Sequence, residues 1–488
     1  MKARNKYKWT VFFLIRAVGE SLKEAEEMID ELKSINLSQS VAVILCLNMK
    51  QDAVNEIDPN YGTPKEIAKN GLTTVFYKFR PVNSNKGKSK STLYKLEEKV
   101  DFDIRNEEDI NYFFRAKILK TSKAKRYILF TWDHGAPFAV FTDADPGDFK
   151  VDAQSSNIHE VIRFEPSNKK KLTVISGSST NVSRFIFSRE YSFIKNDLKS
   201  ANLLMKFKNL FKDENNITTP LNMLTITELR KAIDKAFLGK KIDLLIMMNC
   251  FTNTFDTGFE LRNSVKYLVA PETIMYFNGY NYSSIFKLLN NKKSVTPQEL
   301  AKHIVTSFPK KDNYPDENRK IVAQQDVAFF ASALKSYSRM GVIINAISSK
   351  LRSELEKNFV RIKSSRNKFG KIKECGDYHI IDFDTFMRFL KKELPRGWRD
   401  LFERYSKTRK SLIVLKYIGK NLRHESADSI TSPSGFSIYF PKEFGEFNGE
   451  FGKIFQNESS EFAGEFIKKF SWDNFIHEYY EKLKQSRN

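Results

Sequence analysis

Continuous apolar runs alternate with amphipathic stretches over the first half of the chain, and this alternation predicts the fold. The run KWTVFFLI (8–15) has the β-branched and aromatic character of a strand buried on both faces. Similar runs cover 40–48, 72–79, 127–132, 242–249 and 265–271. Apolar residues recur at helical spacing between the first two runs, at Leu22, Ala25, Met28, Ile29 and Leu32. Strands separated by helical patterns predict an α/β protein whose mainly parallel sheet carries helices on both faces.

One helix–strand unit is defined more sharply than the others. The segment TITELRKAIDKAFLGKK (225–241) places Thr225 and Glu228 at the spacing of a capping box, and Gly239 marks the exit of the helix. The apolar run 242–249 follows directly and ends at Cys250. A second helical pattern, near 107–120, precedes the run 127–132.

The alternation breaks twice. Residues 143 to about 220 are polar and rich in Asn and Ser, which predicts a large insertion on the sheet. After about residue 310 the pattern becomes helical, for instance over 322–358 and 385–394, with a late strand at 434–441 and a terminal helix at 472–483. We therefore predict an α/β domain over 1–310 and a mostly helical domain with one late strand over 311–488.

The composition fits a globular chain of a reducing compartment. Of the 488 residues, 41% are hydrophobic, and the 3 cysteines are too few for a disulfide framework. The apolar run near the start, from Trp9 to Ile15, ends at Arg16 and continues into an amphipathic helix, so it is typical of a buried strand rather than a signal peptide. No apolar run approaches the ~20 residues that span a bilayer. We expect a cytoplasmic protein without a membrane partner.

The formal net charge of +22 raises the question of nucleic acid. The basic runs NKGKSKS (85–91) and NKKKL (168–172) lie among Ser, Asn and Gly, which is typical of solvated loops. Lysine is also used heavily throughout the chain. Net charge is the one feature of the sequence that supports nucleic-acid binding. A steep salt dependence of that binding would be its experimental signature.

Two residues with nucleophile and base chemistry follow predicted strands. His134 comes just after the run 127–132, and Cys250 comes just after 242–249. If these strands are neighbours in a parallel sheet, their carboxyl ends lie ~5 Å apart, and the imidazole and thiol face one cleft. Gly135 would let a substrate backbone approach, and its N–H would face a developing oxyanion. A structural histidine at a strand end and a buried cysteine acting as a small hydrophobe remain the alternatives.

An ordered set of segments resembles the clostripain-like cysteine peptidases, which belong with caspases, legumains and gingipains to the caspase-like fold group. ILFTWDHGAPF (128–138) is similar to the histidine segment of that family, and 226–250 is similar to its helix–strand–cysteine unit. The segments 6–32, 255–274, 279–308, 435–441 and 470–479 also look familial. The resemblance implies a caspase-like, mainly parallel β-sheet sandwiched by helices.

The same resemblance implies an activity. Cys250 would be the nucleophile and His134 the base in peptide hydrolysis through a thioester intermediate. The backbone N–H groups of Gly135 and Cys250 would bind the oxyanion. The chemistry implied requires no cofactor, and the partner is a protein or peptide substrate.

The chain departs from the family pattern at the specificity pocket. Members that cleave after Arg or Lys carry Asp two residues before the cysteine, where this chain has Met248. Methionine is apolar and flexible, so we hypothesise cleavage after a medium apolar residue such as Leu, not after Arg or Lys. The alternative is that another acid, Asp145 or Glu272, reaches the pocket.

The insertion between His134 and Cys250 is a second departure. Some relatives activate themselves by cleavage there, and Lys150 with Lys169–Lys171 would serve only if basic residues are accepted. A lid or partner surface is the alternative. Some relatives also need calcium, and Asp143, Asp145 and Asp148 form a candidate oxygen cluster, for which a solvated acidic turn is the alternative.

Three functional hypotheses follow. The first is a selective, regulatory cysteine endopeptidase; one version is a bacterial antiviral-defence protease that releases a pore-forming effector such as a bacterial gasdermin. The second is an inactive caspase-like scaffold, and the third is a basic nucleic-acid-binding protein. No residue identifies the substrate, and the neighbouring genes would discriminate between substrates.

Overall fold

The structure is a computed structural model. It describes residues 6–18, 21–64, 66–68, 71–81, 91–100, 102–142, 162–164, 172–174, 223–276, 279–291, 294–311, 320, 324–367, 380–394, 396–422, 433–442 and 464–486. The predicted insertion, 143 to about 220, lies almost entirely outside this part of the chain.

Sixteen strands occur within the described residues. They are β1 (Tyr7–Ala17), β2 (Val41–Lys50), β3 (Leu72–Pro81), β4 (Ser91–Lys99), β5 (Ala124–Trp132), β6 (Gly135–Ala136), β7 (Ala139–Val140), β8 (Ile162–Phe164), β9 (Leu172–Val174), β10 (Leu224–Thr225), β11 (Ile242–Met247), β12 (Val265–Pro271), β13 (Ala328–Ala333), β14 (Ile380–Asp382), β15 (Ile413–Ile418) and β16 (Ser437–Tyr439).

Nine of these strands form one central sheet in the order β15-β13-β12-β11-β5-β1-β2-β3-β4. The five middle strands, from β12 to β2, run parallel to one another. Two antiparallel strands complete the sheet at each edge. The predicted α/β class with a mainly parallel sheet is confirmed, and the antiparallel pairs are confined to the edges.

The helices surround this sheet. Their bounds are α1 (Ser21–Lys33), α2 (Val54–Ile57), α3 (Glu107–Tyr112), α4 (Ile226–Phe237), α5 (Phe255–Leu261), α6 (Tyr282–Asn290), α7 (Pro297–Ser307), α8 (Tyr337–Ser353), α9 (Leu355–Asn367), α10 (Phe383–Glu393), α11 (Arg399–Leu412), α12 (Glu465–Lys469) and α13 (Trp472–Gln485). A π-helical segment, Phe113–Leu119, continues α3. The capping box predicted for the helix after Thr225 is present, because Thr225 and Glu228 bond reciprocally at the start of α4.

The central strand β1 shows why both faces of the sheet are covered. Successive side chains of a strand point to opposite faces. The Phe12 ring lies 5.5 Å from the ring of Phe114 and 6.3 Å from that of Phe237, on the face covered by α3 and α4. The Phe13 ring lies 6.1 Å from that of Tyr282, on the face covered by α6. Burying such a side chain stabilises the fold by about 1.5–3 kcal/mol. Because helices cover both faces of β1, apolar residues are favoured at consecutive positions of this strand and not only at every second one.

The region after residue 311 differs from its prediction. A helix over 322–358 is wrong for Ala328–Ala333, which form strand β13 of the central sheet. Strand β15 extends the same sheet, and β14 pairs with β16, the predicted late strand. The region thus contains four strands where one was predicted, and the central sheet continues across the proposed boundary at residue 310. The terminal helix α13 is confirmed.

Two small sheets flank the carboxyl ends of the central strands. The hairpin of β6 and β7 follows β5 directly and pairs with β10. The β14–β16 pair stands beside the start of α5, where Thr254 forms a bridge with Ser437. Within the described residues, no helix has the length and apolar character needed to cross a membrane.

Asp256, in the first turn of α5, carries a carboxyl group that is poorly solvated. Its Oδ2 atom is buried and has no hydrogen-bond partner among the described residues. Burial raises the pKa of Asp256 to about 7, and the nearby charge of Glu260 acts in the same direction. The folded state therefore holds this proton at pH values where the unfolded chain has lost it. This group makes the protein less stable as the pH rises from about 4 through 7.

We predict that Asp256→Asn raises the melting temperature relative to wild type at pH 8.5, because it removes a buried negative charge. At pH 5, where Asp256 is protonated in the folded state, the gain should be much smaller. Thermal unfolding at the two pH values measures this. Asp400→Asn is the control, since that side chain is 82% exposed and should show no such pH-dependent difference. An equal effect of Asp256→Asn at both pH values would contradict the assignment.

Candidate active site

Strands β5 and β11 bring the two candidate residues to one edge of the sheet. The strands are parallel neighbours, and their last paired residues are Thr131 and Met247. The ladder continues for one more bond, from the Met248 N–H to the Thr131 carbonyl oxygen at 2.9 Å. His134 and Cys250 each stand three residues beyond the last pair. The prediction that these two strands are neighbours in a parallel sheet is confirmed.

His134 follows a buried ion pair. Asp133 is 1% exposed, and its Oδ2 atom lies 3.2 Å from Nη1 of Arg16, the second-to-last residue of the adjacent strand β1. Burial raises the pKa of the Asp133 carboxyl, while the positive charges of Arg16 and His134 oppose that rise. His134 itself is half-buried. The residue before the candidate base is thus anchored to the centre of the sheet.

Gly135 stands in close contact with the other strand's loop. A Cβ atom at Gly135 would lie 2.5 Å from Cβ of Asn249 and 3.0 Å from its Cα. Its place after His134 predicts that this glycine admits a substrate backbone. Within the folded protein, the chain that approaches it is the segment just before Cys250.

Cys250 occupies a tight turn. The residue is 5% exposed, and its Sγ atom accepts a hydrogen bond from the Met275 N–H at 3.2 Å. The next residue, Phe251, has φ 59°, a left-handed conformation that bulky side chains rarely adopt, and its N–H donates to the Thr273 carbonyl at 3.2 Å. Such backbone strain persists only where the surroundings impose it, and it clusters at functional sites. An N–H donor also stabilises a thiolate more than a thiol.

Met248 and Glu272, the candidate substrate-binding residues, are both fully buried. Met248 packs against Gly279, where an added Cβ would lie 2.8 Å from the Met248 Cε atom. Glu272 Oε1 accepts a hydrogen bond from Ser437 Oγ at 2.7 Å. Burial raises the pKa of Glu272 well above its ordinary value, and the neighbouring Asp382 carboxyl adds to that rise. The Glu272 carboxyl group therefore faces the β14–β16 pair, whereas Met248 faces the loop before α6.

Several predicted residues lie outside the described part of the chain. They are the calcium candidates Asp143, Asp145 and Asp148 and the lysines Lys150 and Lys169–Lys171. Among the residues that are described, no group of three or more His, Cys, Asp or Glu could hold a metal ion. Cys46 lies in β2 and is fully buried, as expected for a core cysteine.

The comparison with protein families decides the class. The Clostripain family matches residues 198–479, which is more than half of the chain. The chain belongs to the clostripain family. Membership makes it a cysteine endopeptidase, acting on peptide or protein substrates. The matched range contains Cys250 and begins after His134, so the family match does not cover the histidine segment.

One solved structure shares the fold of this clostripain-family chain, and a second is similar at a lower score. A secreted cysteine protease of Bacteroides thetaiotaomicron, iotapain, has a TM-score of 0.52 at 12% identity, covering 96% of this chain and 99% of its own. A secreted protease of the same organism in complex with an irreversible peptide inhibitor has a TM-score of 0.49 at 13% identity, covering 92% and 96%. The first similarity supports the caspase-like fold alone. No curated protein matches the sequence.

Three features of the clostripain-family site carry little sequence signal. The Met275 N–H is a backbone group 25 residues beyond Cys250, so the residue type at 275 does not indicate that it bonds to the cysteine. The left-handed conformation of Phe251 occurs at a residue type that does not favour it. Asn249, which contacts Gly135, is adjacent to Cys250 in sequence, and its amide is the one signal that the sequence could have offered.

We predict that Gly135→Ala lowers the free energy of unfolding by about 1–3 kcal/mol, because its Cβ overlaps Asn249. It should also lower peptidase activity, since the two loops must separate to admit the methyl group. Chemical denaturation and a peptide-cleavage assay measure the two effects. Gly397→Ala is the matched control, because its nearest neighbour is the Lys350 Nζ atom at 4.0 Å. If Gly135→Ala has the stability and activity of the wild type, the contact between Gly135 and Asn249 is not tight.

Proposed function

We propose that Cys250 is the nucleophile and His134 the general base of this endopeptidase. The observation that carries the proposal is the parallel pairing of β5 with β11, because each residue follows the last pair of these strands by three positions. The Cys250 Sγ atom accepts a hydrogen bond from the Met275 N–H at 3.2 Å, and the thiol donates to the Met275 carbonyl oxygen at 3.7 Å, so residue 275 fixes the position of the sulfur. The half-buried His134 is accessible enough to exchange protons with substrate and water.

The reaction proceeds in two halves. His134 takes the thiol proton, and the Cys250 sulfur forms a bond with the substrate carbonyl carbon as the carbonyl electron pair moves to oxygen. Collapse of this intermediate breaks the C–N bond, and the leaving amine receives the proton from His134. Water then gives a proton to His134 and attacks the thioester. The C–S bond breaks, the carboxylic acid leaves, and the cysteine is restored.

Gly135 is placed to serve as one oxyanion donor. The Phe141 N–H donates to the His134 carbonyl oxygen at 3.0 Å, immediately beside the Gly135–Val140 pair. In an antiparallel ladder this makes Gly135 and Val140 a non-hydrogen-bonded pair, whose own N–H groups point away from each other. The Gly135 N–H therefore points away from β7, at the outer edge of the hairpin. We propose it, with the Cys250 N–H, as the oxyanion site.

We predict that Cys250→Ala and His134→Ala each reduce peptide cleavage by at least about 1000-fold, since neither half-reaction proceeds without both groups. Cleavage of a proteome-derived peptide library by wild type and variants measures this. Cys46→Ala is the matched control: it removes a buried core thiol remote from the strand ends and should retain activity. Equal cleavage by wild type and Cys250→Ala would remove Cys250 as the nucleophile.

We further propose that the first specificity pocket accepts apolar residues. Met248 occupies the position at which Arg- or Lys-cleaving relatives carry Asp, and its thioether packs on Gly279. Glu272 is buried against Ser437, so in this conformation its carboxylate does not substitute for the missing Asp. An apolar lining favours a medium apolar side chain such as Leu.

We predict that wild type cleaves after Leu and similar residues in preference to Arg or Lys. Met248→Leu conserves volume and should keep that preference. Met248→Asp should raise the ratio of basic to apolar cleavage, because a carboxylate would pair with the substrate cation. Library profiling with quantification of each cleaved bond measures the ratio. A strong preference of the wild type for Arg or Lys would overturn the apolar pocket.

For the cellular role, we propose a cytoplasmic protease that is selective and regulatory. The support is the composition, because 3 cysteines are too few for the disulfide framework of a secreted protein. Iotapain is described as secreted, so the cytoplasmic site is a proposed difference. A pore-forming effector encoded by a neighbouring gene is the proposed substrate. Incubating the wild type and Cys250→Ala with neighbouring gene products tests this, and unselective digestion would contradict it.

A further inference from the structure

We infer that Asn249 is a positioning residue that holds the His134 loop in register with the Cys250 loop. The inference rests on the proposed His134/Cys250 dyad. Asn249 is fully buried and immediately precedes the candidate nucleophile. Its side chain reaches across to the neighbouring strand, so the two loops are joined by the residue that is covalently linked to Cys250.

The amide nitrogen of Asn249 bonds to the carbonyl groups of the two peptide bonds that flank the His134 Cα atom. Its Nδ2 atom donates to the Asp133 carbonyl oxygen at 3.0 Å and to the His134 carbonyl oxygen at 3.0 Å. The His134 oxygen also accepts the Phe141 N–H at 3.0 Å. Two consecutive carbonyl groups are therefore fixed, and with them the direction in which the His134 side chain leaves the backbone.

The amide oxygen of Asn249 is fixed by a different partner. Its Oδ1 atom accepts a hydrogen bond from the Oγ1 atom of Thr131, a residue of the last pair between β5 and β11. The Asn249 carbonyl oxygen in turn accepts from Thr252 Oγ1 at 2.8 Å. A flipped amide would set its oxygen against the Asp133 and His134 carbonyl oxygens, neither of which can donate a hydrogen bond. The observed orientation is thus the one that satisfies both ends of the side chain.

The contact with Gly135 sets a limit on how closely the loops approach. Hydrogen bonds from Asn249 draw the two loops together, and the packing of its Cβ against the glycine stops them at a defined separation. A base must lie within hydrogen-bond reach of the group it deprotonates, and a displacement of 1 Å at a catalytic group can cost about 100-fold in rate. A fixed separation of the two loops keeps the proposed base within reach of the thiol.

Asn253 provides a matched comparison within the same loop. It is also a fully buried asparagine, and its Nδ2 atom donates to the Gly435 carbonyl oxygen at 2.9 Å. That bond ties the Cys250 loop to the C-terminal region and does not involve His134. Loss of either asparagine side chain removes buried hydrogen bonds, but only the loss of Asn249 releases the histidine.

The test compares Asn249→Ala with Asn253→Ala in the full-length protein. The rate at which iodoacetamide alkylates Cys250 is followed against pH by peptide mapping, together with kcat and KM for a cleaved peptide and the melting temperature. We expect wild type to react well below the pH of ~8.5 at which a free thiol ionises, because the imidazole shares the thiol proton. Asn249→Ala should shift this profile upward by about 1 pH unit and lower kcat about 10- to 100-fold, with KM changed much less. Asn253→Ala should keep the wild-type profile even where its melting temperature falls.

Thr131→Val is a second variant in case Asn249→Ala does not fold. It keeps the size of the side chain and leaves both donors of the Asn249 amide, so we expect a shift in the same direction and of smaller size. A wild-type profile in both Asn249→Ala and Thr131→Val would overturn the inference, and so would equal shifts in Asn249→Ala and Asn253→Ala. His134→Ala separates this outcome from failure of the dyad. If His134→Ala also leaves the profile unchanged, the proposed base is wrong; if it shifts the profile and Asn249→Ala does not, only the positioning role fails.

Discussion

The parallel pairing of β5 with β11 is the constraint on which the site depends. Both strands are buried on both faces, so a slip of one residue would move every side chain to the opposite layer of helices. The register Thr131–Met247 is thereby fixed by the core rather than by the site. Because each strand is followed within three residues by one of the candidate residues, His134 and Cys250 both lie beyond the carboxyl ends of neighbouring strands. The packing of the sheet thus determines where the chemistry can occur.

Rigidity beyond the strand ends comes from buried polar groups that are paired. Burying a polar group without a partner costs several kcal/mol, so each group here restricts the positions of its neighbours. Asp133 is held by Arg16 from β1, and Asn249 bonds to the backbone on both sides of the histidine's peptide unit. Phe251 adopts its left-handed conformation directly after Cys250, where the bond to Thr273 holds it. The loops of this edge are consequently ordered by hydrogen bonds, whereas the strands beneath them are ordered by apolar contacts.

This division also explains what the sequence could predict. The middle strands were predictable because a strand that is buried on both faces has a continuous apolar sequence, as in 8–15 and 242–249. The edge strand β4 has no such run, since it is largely half-buried or exposed and Lys and Glu interrupt its Leu and Tyr residues. The strand Ala328–Ala333 is short and is followed closely by a long helix. Its apolar residues therefore fit the helical pattern of that helix and were predicted as part of it. The order of His134 and Cys250 along the chain indicated the site, but the backbone donor from Met275 leaves no trace in the sequence.

The C-terminal region belongs to the same mechanical unit as the site. Ser437 donates its N–H to the Asn253 carbonyl oxygen at 3.0 Å and its hydroxyl to Glu272 at 2.7 Å, while Asn253 donates to Gly435. The Phe255 ring packs 5.1 Å from that of Phe436. The loop that carries Cys250 is therefore braced on one side by the histidine loop and on the other by the segment around β16. These contacts lie on the side of the Cys250 loop that faces β16, and they do not involve the His134 loop. The C-terminal region therefore packs against the loop that carries Cys250, in addition to extending the sheet through β13 and β15.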